Sequence, residues 1–95
     1  MPDKSSSVSE AGNYTNLTAD TLVYSGKGQL LGIFCASASA SPTIKVWDQT
    51  SAAAPILVNT FTPVAGVFYP IPATFGTGLY VDIGGTLDIT VFWNT

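Results

Sequence analysis

From residue 78 to the C-terminal end, apolar residues occupy every second position. Leu79, Val81 and Ile83 alternate with Tyr80 and Asp82. Beyond Gly84-Gly85, Leu87, Ile89, Val91 and Trp93 alternate with Asp88, Thr90 and Phe92. Successive side chains of a strand point to opposite faces, so a period of two sends the first set into a core and the second outward. Ile44 and Val46 alternate in the same way with Lys45 and Trp47. Segment 29–36 (QLLGIFCA) is apolar on both faces, which predicts a strand that is central or covered on both sides. No stretch carries the 3.6-residue period of an amphipathic helix.

The pattern predicts strands at 20–24, 29–36, 42–48, 55–62, 66–72, 78–83 and 86–93, with a short one at 14–18 before them. Turn clusters separate them about every ten residues, as in an all-β sandwich or barrel. The Gly84-Gly85 pair between two alternating runs predicts a tight hairpin, because both residues tolerate positive φ. The Ala/Ser runs at 36–41 and 51–54 are too short for stable helices and are bounded by proline, so they are expected to be loops. Residues 1–13 (MPDKSSSVSEAGN) are small and polar and cannot pack a core. The expected architecture is one all-β domain over 14–95, an antiparallel, jelly-roll-like β-sandwich, preceded by an extended, flexible N-terminal arm over 1–13.

Composition sharpens this picture. The chain has 95 residues, 46% of them hydrophobic and only 9% charged. An ordinary globular domain is about a quarter charged. The outward set is correspondingly aromatic: Trp47, Tyr80 and Phe92 are expected on the surface and are the candidates for an interface with other protein, where aromatics are enriched. A small domain without staples gains much from assembly. No intramolecular disulfide can form, since Cys35 is the only cysteine. Cys35 lies in an apolar run and reads as a buried small hydrophobe.

Several chemistries are disfavoured. There is no His and no Arg, only Lys4, Lys27 and Lys45 as cations, and the net charge is −3. A structural zinc site lacks ligands, a catalytic cysteine lacks a base, and a phosphate-binding surface lacks cations. Binding to nucleic acid or to an anionic membrane is therefore not expected, and no run approaches the roughly 20 apolar residues of a spanning helix. The first residues lack the apolar stretch of a secretion signal, so a cytosol-like compartment is expected. Under that expectation the acceptor triplets at Asn13 and Asn16 are accidental. Asp82 and Asp88 flank Gly84-Gly85 on one expected face and could serve a hydrolase or, with further oxygens, hold calcium. An exposed polar pair that discourages sheet aggregation is the simpler reading. The glycines at 26, 28, 76 and 78 are turn punctuation, with no phosphate-loop spacing. Trp47, Trp93, Tyr69, Tyr80, Phe68, Phe75 and Phe92 could include a sugar-stacking platform, or could fill a core and a subunit interface. No enzyme activity and no cofactor are expected.

Two segments, LVYSGKGQLLGIFCASASASPTIKVWDQTSAAAPILVNTF (22–61) and FGTGLYVDIGGTLDITVFW (75–93), resemble small β-rich virion proteins of tailed phages. The shared features are turn and strand signatures, and no catalytic motif accompanies them. The resemblance implies a bacteriophage virion component, a capsid cement or decoration protein that bridges and stabilises neighbouring capsid subunits. It implies a homotrimer contacting the major capsid protein on the capsid exterior, assembled in the host cytoplasm. The other expectation is a glycan- or host-surface-binding module of a head fibre or tail accessory protein.

Overall fold

The computed structural model describes residues 12–95. The expected arm thus lies outside the described residues except for its last two positions. Six strands form one antiparallel sheet: β1 (Asn13–Leu17), β2 (Thr21–Ser25), β3 (Gly28–Trp47), β4 (Ile56–Phe61), β5 (Phe68–Phe75) and β6 (Gly78–Asn94). The described residues contain no helix.

Two long strands dominate. β3 and β6 pair along nearly their whole length, from Gln29 opposite Asn94 to Trp47 opposite Tyr80. Four short strands border this ribbon. β1 and β2 pair with successive parts of β6, and β5 and β4 with successive parts of β3. At one end the order is β1-β6-β3-β5, and at the other β2-β6-β3-β4.

The ribbon is not straight. The 20 residues of β3 would span about 66 Å at 3.3 Å each, yet the longest extent of the molecule is 46 Å. The bend lies where Ser39 pairs with Thr86 and Thr43 with Gly84. Between those pairs β3 carries Ala40, Ser41 and Pro42, while β6 carries only Gly85. Ala40 and Ser41 have φ of 57° and 59°, and Gly85 has 74°. Extra residues on one strand bend a ladder and sharpen its twist. A Cβ on Gly85 would lie 2.5 Å from the Ala40 carbonyl oxygen, so only glycine lets the two backbones approach this closely.

Bending brings both halves of the ribbon onto one core. Leu30, Ile33, Cys35, Ile89 and Val91 come from one half, and Ile44, Val46, Leu79 and Val81 from the other. All are fully buried. With no helix among the described residues to cover them, the two inner faces cover each other. Burying each such side chain contributes about 1.5–3 kcal/mol. The inward residues are those the alternation selects, and Cys35 is the buried free thiol expected of it.

The tips of the folded ribbon meet at two short connectors, Gly26-Lys27 between β2 and β3, and Gly76-Thr77 between β5 and β6. The Gly26 amide donates to the Thr77 carbonyl at 2.9 Å and ties them together. Asp48, just past β3, fastens the second connector. Its Oδ1 accepts from the amides of Thr77 at 2.8 Å and Gly76 at 3.0 Å.

Two sequence expectations are corrected. Gly84-Gly85 is not a hairpin: β6 runs through it, and the pair forms the inner corner of the bend. Residues 36–41 are not a loop: Ser37, Ala38 and Ser39 pair with Asp88, Leu87 and Thr86 as part of β3. Their small side chains suit a strand about to turn sharply. The 51–54 segment is a loop, as expected.

Candidate interaction surface

The outward aromatics do not form one patch. Trp47 and Tyr80 are direct cross-strand partners on the outer face of one half of the ribbon. Phe92 lies on the outer face of the other half, opposite Tyr14 and Gly32. Because the inner faces meet, these outer faces look away from each other. All three side chains are half-buried. The Lys45 ammonium sits 4.4 Å from the centre of the Trp47 ring, and Phe68 packs edge-on against Phe92 at 5.9 Å.

The acids are also divided by the bend. Asp82 pairs with Lys45 across the ribbon, whereas Asp88 lies opposite Ser37 and accepts from Asn16 Nδ2 at 2.8 Å. Asp82 has a different carboxylate beside it, Asp20, whose Oδ1 accepts from the Ile83 amide at 2.7 Å. Burial pushes the Asp82 carboxyl above its ordinary range, and the Asp20 charge pushes it further. The Trp47 indole and the Lys45 ammonium oppose the shift without cancelling it. Trp47 Nε1 is nevertheless shut off from solvent with no partner at hydrogen-bond geometry. Among the described residues, no three acids or cysteines gather where a metal ion could be held.

The aromatics named as a sugar platform fall into separate clusters rather than one, Trp47 beside Tyr80, Phe68 on Phe92, and Phe75 and Trp93 both against Tyr24. Phe75 is buried, Trp93 stacks on Tyr24, and Tyr69 meets Phe61 edge-on at 5.2 Å.

What the chain does gather is an uncharged edge, which the alternation pattern alone does not reveal. Residues 49–81 contain no Asp, Glu, Lys or Arg. This stretch builds β4 and β5, which border β3 at its two ends. Of the large hydrophobic side chains left exposed among the described residues, Phe34, Ile56, Val64, Val67 and Phe68 all belong to this side, and Tyr14 and Leu22 lie elsewhere. Val64 and Phe68 are 58% and 48% exposed. A shallow cavity of about 260 Å³ opens between β4 and β5, lined by Val58, Asn59, Phe61, Tyr69, Pro70 and Ile71.

The loop carrying Val64 and Val67 is held firmly. The Val64 amide donates to the Tyr69 hydroxyl at 2.8 Å. The Gly66 amide donates to the Cys35 carbonyl at 2.7 Å, and the Cys35 amide to the Val67 carbonyl at 3.0 Å. A pre-ordered apolar surface loses little entropy when something packs on it.

Comparison with known proteins returned no match: no family model fits the sequence, and no curated protein and no solved structure is significantly similar to it. The class defined by the coordinates is an all-β protein built on one bent antiparallel sheet.

Proposed function

We propose that this chain is a non-enzymatic structural subunit of a bacteriophage particle, a cement or decoration protein that assembles as a homotrimer on the capsid exterior and bridges neighbouring subunits of the major capsid protein. The observation that carries the reading is the uncharged, pre-ordered apolar edge of β4 and β5, joined to the resemblance of the strand and turn segments to small tailed-phage virion proteins. Exposed apolar side chains gathered on one side of a small domain favour contact with other protein.

The same reading takes the bent sheet as a jelly roll. With β3 and β6 each counted as two strands at the bend, there are eight strands in chain order. The order at one end is then first, eighth, third, sixth, and at the other second, seventh, fourth, fifth. Eight strands in two facing sheets of this kind recur in viral capsid and lectin domains, so the fold alone favours neither cement nor glycan binding.

The mechanism is adhesion by buried area. Apolar surface contributes roughly 25 cal/mol per Å² removed from water, and a specific interface buries about 1,600 Å² in total. A clip that spans two capsid subunits adds surface that must be re-exposed before they separate. Symmetry repeats the effect over the shell.

Co-sedimentation with empty capsid shells of the encoding phage tests the reading. Saturable binding that raises the temperature of shell disruption is the expected result. Failure to bind shells, with saturable binding to a glycan panel instead, overturns it in favour of a host-surface module.

A further inference from the structure

The uncharged edge has a specific occupant. We infer that the β4–β5 side of this protein is its self-association surface, covered by a second copy of the same chain. The inference rests on the self-assembly part of the proposed function, and centres the interface on the β4–β5 edge, where Phe68 packs against Phe92 and Ile56 lies opposite Trp47.

Charge selects the occupant. The chain carries a net charge of −3. Among the described residues every charged side chain, Asp20, Lys27, Lys45, Asp48, Asp82 and Asp88, lies outside residues 49–81. Two identical copies that met through the outer face holding Asp20, Asp82 and Lys45 would have to bury or re-pair those ions. Copies that meet edge to edge through β4 and β5 bring no charge of these strands into the contact, so these strands lose no ion hydration there. A strongly charged partner would lose that hydration with nothing on this edge to repay it. The edge is therefore compatible with itself in a way that the outer face holding Asp20, Asp82 and Lys45 is not.

The strand edges point the same way. Proteins blunt exposed sheet edges with charge, proline or a covering element. β5 contains Pro70 and Pro72, which have no N–H to offer another strand. β4, ILVNTF, contains neither proline nor charge, and among the described residues only β3 borders it. Ile56, which opens β4, is 45% exposed. An edge strand left apolar and unguarded is a hazard unless it is covered in the assembled state. Pairing or packing of β4 against a second copy removes the hazard and covers Val64, Val67 and Phe68 with it.

The test is the mass of the full chain in solution by sedimentation or light scattering, for wild type and for two kinds of variant. Ile56→Asp and Phe68→Asp place a charge on the edge at exposed positions. Leu22→Asp and Tyr14→Asp place one at exposed positions on the opposite border. Circular dichroism confirms folding of each. Wild type is expected above its monomer mass of 9.9 kDa at micromolar concentration, with self-association weakened at least tenfold by either edge variant and unchanged in the two controls. If wild type assembles and the controls dissociate while the edge variants do not, the location is wrong and the self-assembly reading survives. A wild type that stays monomeric up to 100-fold higher concentration overturns both.

Discussion

Tyr24 and Trp93 stack where the tips of the folded ribbon meet, with ring centroids 4.9 Å apart and planes 34° from parallel. Tyr24 belongs to β2, opposite Leu79, and Trp93 to the far end of β6, opposite Leu30. The pair joins the two halves of the sheet side chain to side chain. Trp93 Nε1 also donates to Thr15 Oγ1 at 3.0 Å, which draws β1 into the same cluster. Trp93→Ala is expected to lower the free energy of unfolding by about 3 kcal/mol. Trp93→Phe keeps most of the stacking but loses the hydrogen bond, for about 1 kcal/mol. Urea denaturation followed by circular dichroism measures both. A loss below about 0.5 kcal/mol for the alanine variant would show that closure of the bend does not depend on this pair.

Asp48 couples the end of β3 to the connector before β6, and it does so as a charged group. Burial raises its pKa, but the amides of Thr77, Gly76 and Gly78 outweigh burial and hold it below the ordinary value of 3.8. A carboxylate favoured in the folded state contributes stability that is present above its unfolded pKa and lost as pH falls through the lower, folded one. Asp48→Ala is expected to cost about 1–3 kcal/mol near neutrality, because three amides lose their acceptor. The difference from wild type should shrink as the pH is lowered below 3.8. Denaturation curves from pH 7 to pH 2 check this, and a difference independent of pH would contradict it.

Asp82 behaves in the opposite sense. Its carboxyl is pushed up by burial and then by Asp20. Its contribution is therefore most favourable below the unfolded value of 3.8 and is lost as pH rises through the raised, folded one. Asp82→Asn removes the repulsion and should raise stability at neutral pH by under about 1 kcal/mol, since the site is partly exposed. Little gain is expected at pH 3. A destabilised variant at neutral pH would mean that attraction to Lys45 exceeds repulsion from Asp20.

Gly85 and Gly66 separate backbone strain from crowding. Both have positive φ, 74° and 84°. A Cβ on Gly85 would strike the carbonyl oxygens of Ala40 and Ser41, whereas one on Gly66 would meet nothing within 4 Å. Gly66→Ala should cost only the left-handed backbone penalty, about 1 kcal/mol. Gly85→Ala should cost more than about 3 kcal/mol, since the bend must open to admit a methyl group. Thermal unfolding of the two variants compares them directly, and equal losses would remove the crowding argument.

At the bend the local sequence is compatible with two structures. A Gly-Gly pair supplies positive φ equally well to a hairpin and to a corner within one strand. The parity of the neighbours discriminates between them. Leu79, Val81, Ile83, Leu87, Ile89, Val91 and Trp93 all fall on odd positions. A two-residue hairpin pairs Ile83 with Thr86 and Val81 with Asp88, which mixes core and surface on each face. A continuous strand keeps every odd residue inward, as observed. On the partner strand, register shifts at Leu31, Ala36 and 40–42 reset the parity, so 36–41 carried no comparable signal. The orientation of Trp47, Tyr80 and Phe92 was legible from alternation, but their division between opposite outer faces was not.

By itself, then, the sequence determined what local chemistry dictates: an all-β chain, the residues that face inward, a buried thiol without a reactive partner, and a long stretch without charge. The tertiary structure decided which strands adjoin. That choice depends on β3 and β6 finding each other across some 50 residues and bending together, a long-range pairing that no local propensity encodes. Only once β4 and β5 both border β3 does an uncharged run of sequence become an uncharged edge of a molecule.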